Sequence, residues 1–204
     1  MPERVCIVTA ATGAIASAIV RQLASEGWKL ALMARTDGAA EKLAGEIGGI
    51  GMKGTITSDQ DLQTLFRSTM DKWGRVDGVV NSSGRAPHGG VTQMTDAQWQ
   101  EGFDLLFLSV VRMARLVTPI MERQKGGALV NISTFTAYEP SLRFPNSSVV
   151  RAGLGAYAKL YSSEFGPAGI RMNNILPGMM ENYAAAQEWA SKIPLRRLGL
   201  MTEI

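Results

Sequence analysis

The 204-residue chain is poor in the residues that build disulfides and metal sites, with one cysteine, Cys6, and one histidine, His88. A lone cysteine cannot close an internal disulfide, which points to a reducing, cytoplasmic compartment. Without a His/Cys cluster no metal is expected, and a Ser-His-Asp triad would have to use His88. Charge of one sign is scarce too. Lys and Arg number 21 against 18 Asp and Glu, a net charge of +3 spread along the chain, whereas nucleic-acid binding usually needs a clustered basic face. Residues 5–20 carry no charge, but Thr9, Thr12, Gly13 and Ser17 interrupt the run and Glu3 stands in what would be a basic flank. The run is also short for a membrane span. No nucleic-acid partner and no membrane segment are expected.

What is present is apolar material: 46% hydrophobic against 19% charged residues, enough for one large core and for a single domain over residues 1–204. Short β-rich runs alternate with helical patterns. Strands are expected at 5–9, 30–33, 51–56, 76–80, 128–132 and 170–176. Helices are expected at 14–24, 38–47, 59–73 and 149–165, with a long one from the capping-box pattern at Thr95 to Gln98 as far as about Gln124. Strand–helix alternation with short links implies a doubly wound α/β fold, a parallel sheet with helices on both faces. The strand runs lack in/out alternation, as befits strands buried on both sides.

In such a sheet, the turn after the first strand is where a pyrophosphate meets a helix N-terminus. That turn reads Thr9-Ala10-Ala11-Thr12-Gly13-Ala14-Ile15-Ala16. Further on come Asn81-Ser82-Ser83-Gly84, Asn131-Ile132-Ser133-Thr134 and Arg171-Met172-Asn173-Asn174-Ile175-Leu176-Pro177-Gly178. These resemble, in order, the TGxxxGxG turn, the NNAG segment, the start of the catalytic-serine segment and the RxNxxxPG segment of the short-chain dehydrogenase/reductase family. The resemblance covers essentially the whole chain. It implies a Rossmann-like sheet of strand order 3-2-1-4-5-6, an NAD(P)-dependent oxidoreductase and a small-molecule substrate. Its implied cofactor-binding positions are Ala10, Gly13, Ala14, Ile15, Ala16, Arg35, Asn81, Gly84, Pro177 and Gly178.

The departures from the family pattern carry as much information as the matches. Alanine holds all three glycine positions of the turn, Ala10, Ala14 and Ala16. An added methyl costs on the order of 1–2 kcal/mol wherever φ is positive and can also meet a phosphate. At the end of the second strand Ala34 stands where NAD-dependent members carry an acidic residue, and Arg35 follows, as in members that grip the 2′-phosphate of NADP. If a cofactor binds, NADP is expected. Thr55 falls where the family places an acidic residue near the adenine.

By the same resemblance, the family delivers a proton from a Tyr, lowers that phenol's pKa with a Lys four residues on, orients the substrate with a Ser and holds a water relay with an Asn. These positions fall here on Ser147, Arg151, Thr134 and Leu106. Thr134 keeps a hydroxyl. Ser147 is a far weaker and shorter acid than a phenol, Leu106 bonds no water, and Arg151 keeps its charge without releasing a proton. Tyr138, in the loop after Thr134, is the favoured substitute acid, and His88 is a second group near the same cleft. Tyr157 and Lys159, two residues apart on a helix, face different ways and read as surface residues. Met172, Met179 and Met180 read as apolar lining, Cys6 as a buried small residue, and 181–191 as a helical lid with Tyr183, Ala186 and Trp189 on one stripe.

Three functions stay open: an NADP-dependent oxidoreductase with a displaced acid, a catalytically silent relative acting as a ligand-binding or partner subunit, and non-redox chemistry with Arg151 holding an anionic substrate. The resemblance also implies a homo-dimer or homo-tetramer, with Leu108, Val111, Leu154 and Tyr161 as candidates for a four-helix interface. The family pattern continues beyond Ile204 into a further helix and strand, so a sheet ending at 170–176 is expected to lack that last strand.

Overall fold

The computed structural model describes residues 3–182 and 186–204. Six parallel strands form one sheet in the order β3-β2-β1-β4-β5-β6. They are β1 (Val5–Val8), β2 (Lys29–Ala34), β3 (Ile50–Lys53), β4 (Gly78–Asn81), β5 (Gly127–Ile132) and β6 (Ile170–Ile175). Between them run α1 (Ala14–Ser25), α2 (Ala39–Ile47), α3 (Asp59–Trp73), α4 (Asp96–Phe103), α5 (Ser109–Gln124) and α6 (Pro145–Phe165), with the short α7 (Ala186–Ala190) near the end. None of the described helices is long and apolar enough to cross a membrane.

Neighbouring residues of one strand feed two different cores. Ile7, Met33, Val79 and Leu129 pack with Leu65, Met113 and Leu154 of α3, α5 and α6. Cys6, Val8, Leu32 and Val80 pack with Ala16, Val20 and Leu43 of α1 and α2. Helices on both faces therefore explain the unbroken apolar runs in the sequence. Burial pushes the Cys6 thiol up to about 12, so it is an inert core residue rather than a nucleophile.

Strand order reverses between β1 and its neighbour β4, and the loops diverge there. Thr9 bridges this gap: its hydroxyl donates to Ser82 O at 2.8 Å and accepts from Ser82 N at 3.0 Å. Next to it, register aligns Asn81 with Asn131 and Asn131 with Asn174. Their amides form a ladder, buried at Asn81 and Asn131 and half-buried at Asn174: Asn81 Nδ2 donates to Asn131 Oδ1 and Asn131 Nδ2 to Asn174 Oδ1, both at 2.8 Å. The three carboxyl ends of β4, β5 and β6 are thereby held together beneath the loops that follow them.

The β1–α1 corner contains one strained residue. Of the three alanines at the family's glycine positions, only Ala10 has a positive φ, 44°. Ala14 and Ala16 are helical, and Ala16 is buried against the sheet. The expected strain of three methyls is thus concentrated at one, because the other two lie inside α1.

The long helix expected over 95–124 is broken in phase. Thr95 and Gln98 form the anticipated capping box, but a five-residue π-helical turn, Asp104–Leu108, separates α4 from α5. It occurs where Gly102 lets the Asn146 side chain of α6 approach so closely that a methyl at 102 would collide with it. The wider turn rotates everything after it, and Val111 ends in the core. Leu154 and Tyr161 are buried as well, Tyr161 sharing a 2.6 Å hydroxyl contact with Thr118. Leu108 is half-buried. The four residues expected to form an interface are thus committed wholly or partly to the chain's own packing. Val149 and Leu160 are the large apolar side chains that α6 exposes.

Replacing Asn131 by Leu would leave Asn81 Nδ2 and Asn174 Oδ1 without their ladder partner. The variant is expected to lose about 2–4 kcal/mol of unfolding free energy in urea titration. Ala10→Gly should instead raise stability by about 1 kcal/mol by relieving the left-handed strain; a fall in the urea midpoint would show that the methyl costs nothing there.

Candidate functional site

Two adjoining hollows open at the carboxyl end of the sheet, where the strand order reverses, the place at which doubly wound sheets hold ligands. The larger is a cleft of about 270 Å³ and the smaller a hollow of about 210 Å³; Gly84 borders both. Together they form one groove that passes the N-terminus of α1.

The smaller hollow is built from the first turn and the end of β2. Ala10, Thr12 and Gly13 form one wall, and Arg35, Thr36 and Thr55 the other. Gly13 is the N-cap of α1, with no side-chain cap and no acidic residue in the first turn. The leading N–H groups of α1 therefore have no protein side chain competing for them, which leaves the helix N-terminus open to an anion. Arg35 reaches across towards Gly84, where a Cβ would lie 3.5 Å from its Nη2. Thr55 lines this hollow, and its N–H donates to Asp61 Oδ2 at 2.8 Å. The carboxylate serving this loop thus comes from α3, six residues on, a contact that sequence spacing did not reveal.

Two of the three alanines at the family's glycine positions leave this groove clear for a dinucleotide's phosphates, and Ala10 borders the smaller hollow. Ala16 carries its methyl into the core, and Ala14, although exposed, lines neither hollow. Ile15, Pro177 and Gly178 line the larger cleft, next to the turn. Asn81 differs from expectation: its amide is spent in the ladder between strands, and it lines neither half of the groove.

The larger cleft brings Thr134, Ser147 and Arg151 together. Ser147 and Arg151 lie one turn apart on α6, which starts at Pro145 rather than at the expected Val149, because a proline is pre-organised for the first helical position. Arg151 is 8% exposed. Its Nη1 donates to Ile132 O at 2.6 Å and its Nη2 to Ser83 Oγ at 2.9 Å, while Nε has no partner among the described residues. Burial pushes the guanidinium down to about 10, so it stays charged at neutral pH. Leu106, at the family's Asn position, is 2% exposed and packs with Ala86 and Val150.

Tyr138 does not join them. It follows the 3-10 turn Phe135–Ala137, is 74% exposed and lines a separate hollow with Ala152, Gly155 and Asn174. Arg151 is the one residue common to that hollow and the cleft. No tyrosine among the described residues lines the cleft; Tyr183 and the side chain of Ala186 lie outside the described residues. Tyr157 is also not the surface residue expected. Its ring packs edge-on to Phe107 at 5.5 Å, and burial raises its phenol.

His88 does line the cleft, its ring 5.7 Å from that of Phe144. Arg85, Ser133 and Thr136 line it as well and were not anticipated. Arg85 directly follows the Asn81–Gly84 segment, the one signal in the sequence that could have placed it.

An enoyl-(acyl carrier protein) reductase family model matches residues 9–204. Among curated relatives, human dehydrogenase/reductase SDR family member 4 is 28% identical, over 98% of this chain and 77% of its own length. A monensin polyketide synthase putative ketoacyl reductase of Streptomyces virginiae is 29% identical, over 99% and 87%. Among solved structures, L-sorbose reductase of Gluconobacter frateurii complexed with NADPH and L-sorbose superposes with a TM-score of 0.91 at 24% identity, over 100% of this chain and 87% of that one. A 7α-hydroxysteroid dehydrogenase complexed with NADH also reaches 0.91 at 24% identity, over 98% and 83%. These last two likenesses concern the fold. The matched model spans nearly all of the residues from the first turn onward, and the chain belongs to the short-chain dehydrogenase/reductase family.

Proposed function

We propose that this protein is an NADP-binding member of the family in which Tyr-driven hydride transfer is silent, leaving a nucleotide-dependent ligand-binding protein. One observation carries the reading: Ser147 and Arg151 hold the places of the acid and its lysine, and no described tyrosine faces the cleft. NADP, when bound, would supply hydride chemistry. The open N-terminus of α1 would take its pyrophosphate, Arg35 its 2′-phosphate, and the Pro177–Gly178 wall its nicotinamide end.

The chain's own residues then explain the silence. Reduction of a carbonyl needs a proton delivered to the developing alkoxide. The Ser147 hydroxyl is too weak an acid to deliver it. Arg151 is tied to Ile132 O and Ser83 Oγ and does not give up its charge. Leu106 puts an apolar side chain where a water relay would be anchored.

A second reading has a specific observation in its favour. His88 is a cleft-lining imidazole, the side chain most often used as a general acid or base. On that reading the acid has moved to the loop after β4 and not to Tyr138.

Isothermal titration should find micromolar binding of NADPH and at least tenfold weaker binding of NADH. Arg35→Ala should erase most of that tenfold difference, about 1.4 kcal/mol. NADPH oxidation with a panel of aldehydes and ketones should stay at background in the native chain. It should rise in the triple variant Thr134→Ser, Ser147→Tyr, Arg151→Lys. Native turnover that vanishes in His88→Asn would establish the second reading instead, and failure to bind either nucleotide would remove both.

A further inference from the structure

The cleft's electrostatics are one-sided. Among the described residues lining it, Arg85, His88 and Arg151 are basic, Ser133, Thr134, Thr136 and Ser147 carry hydroxyls, and none is a carboxylate. An exposed arginine on a rim is ordinary, but Arg151 is buried and no described acidic group forms an ion pair with it. Desolvation is the sole cause of its lowered pKa. A desolvated cation without a counter-charge costs several kcal/mol unless something supplies the missing charge.

Two hydrogen bonds to neutral oxygens do not supply it. They also leave Nε without a partner among the described residues, and the buried Ser133 and Thr136 hydroxyls of the same wall are without one there too. Native structures rarely leave several buried polar groups unpaired in one place. Family resemblance does not account for these groups, because a lysine there would be a compact charge whereas the guanidinium is a planar fork suited to two parallel bonds from one carboxylate.

We propose that the cleft is built for a small organic anion whose carboxylate is held by Arg151, with Arg85 adding positive charge and His88 a polar ring at the wall. This rests on the reading of the larger cleft as a ligand site, but not on retention of NADP. The apolar part of such a ligand would lie against Phe135, Phe144, Met179 and Met180, which line the same space. A volume of about 270 Å³ suits a small molecule of this class.

The test is ligand-observed NMR titration of the native protein with three carboxylate–amide pairs: acetate and acetamide, 2-oxobutyrate and 2-oxobutyramide, benzoate and benzamide. At least one carboxylate should bind tenfold or more tightly than its amide, and added salt should weaken it. Arg151→Met should abolish the preference, and Arg151→Lys should restore part of it. Circular dichroism melts of each variant would confirm that it is folded, and Arg85→Met serves as a second variant should Arg151→Met fail to fold, with a preference reduced several-fold.

No binding of any carboxylate, equal binding of acids and amides, or a preference that survives both charge removals would overturn the proposal. Competition by inorganic phosphate at equal or lower concentration would overturn the assignment to carboxylates. A parallel NADPH titration separates the two hypotheses: carboxylate preference without NADPH binding sinks the proposed function alone, and NADPH binding without carboxylate preference sinks this inference alone.

Discussion

The ladder of Asn81, Asn131 and Asn174 is the constraint on which the site depends. Parallel strands buried on both faces must be apolar through most of their length, yet they end in loops that carry polar chemistry. Three amides in register settle that transition, because each satisfies the next within the plane of the sheet. Thr9 extends the same function across the gap where strand order reverses. Pairing fixes where β4, β5 and β6 stop, and so fixes where Ser83 begins to line the smaller hollow and Ser133 and Thr134 the larger cleft. A buried polar network of this kind is stabilising only while every member is paired, which makes it intolerant of a single change.

The first turn illustrates how one substitution type has three different consequences. The methyl of Ala16 adds to the core, that of Ala14 is exposed outside both hollows, and that of Ala10 is carried on a left-handed backbone. Of the three methyls, only that of Ala10 both lines the smaller hollow and strains the backbone. What matters is φ at each position and the direction of each Cβ, and the turn keeps an open helix N-terminus beside a groove of continuous space.

The cleft has changed more deeply than the nucleotide groove. Exchanging a lysine for a buried arginine replaces a mobile ammonium with a rigid fork that is bonded to Ile132 O and Ser83 Oγ. Exchanging an amide for Leu106 closes the space below with apolar packing against Ala86 and Val150. On the proposed reading the two changes point the same way, from a site that moves protons to one that holds charge. The π-helical turn at Asp104–Leu108 places Leu106 in this packing and also sets the phase of α5 behind it.

The sequence by itself determined the doubly wound sheet and so the groove's position after the first strand, because apolar runs at strand length, helical periodicity and short links leave few topologies; the strand order was what the family resemblance implied. The resemblance assigned Thr134, Ser147 and Arg151 to one site; spacing alone put Ser147 and Arg151 together, since residues four apart on a helix share a face wherever that helix lies. Only the tertiary structure decided which way loop side chains point. Tyr138 turned away and His88 and Arg85 turned in because a short 3-10 turn and the loop after β4 follow no period that a sequence displays. It likewise decided that Asn81 belongs to the sheet, that Val111, Leu154 and Tyr161 belong to the core, and that Arg151 is buried with no carboxylate paired to it among the described residues. Each of these depends on distances between residues far apart in the chain, which packing alone sets.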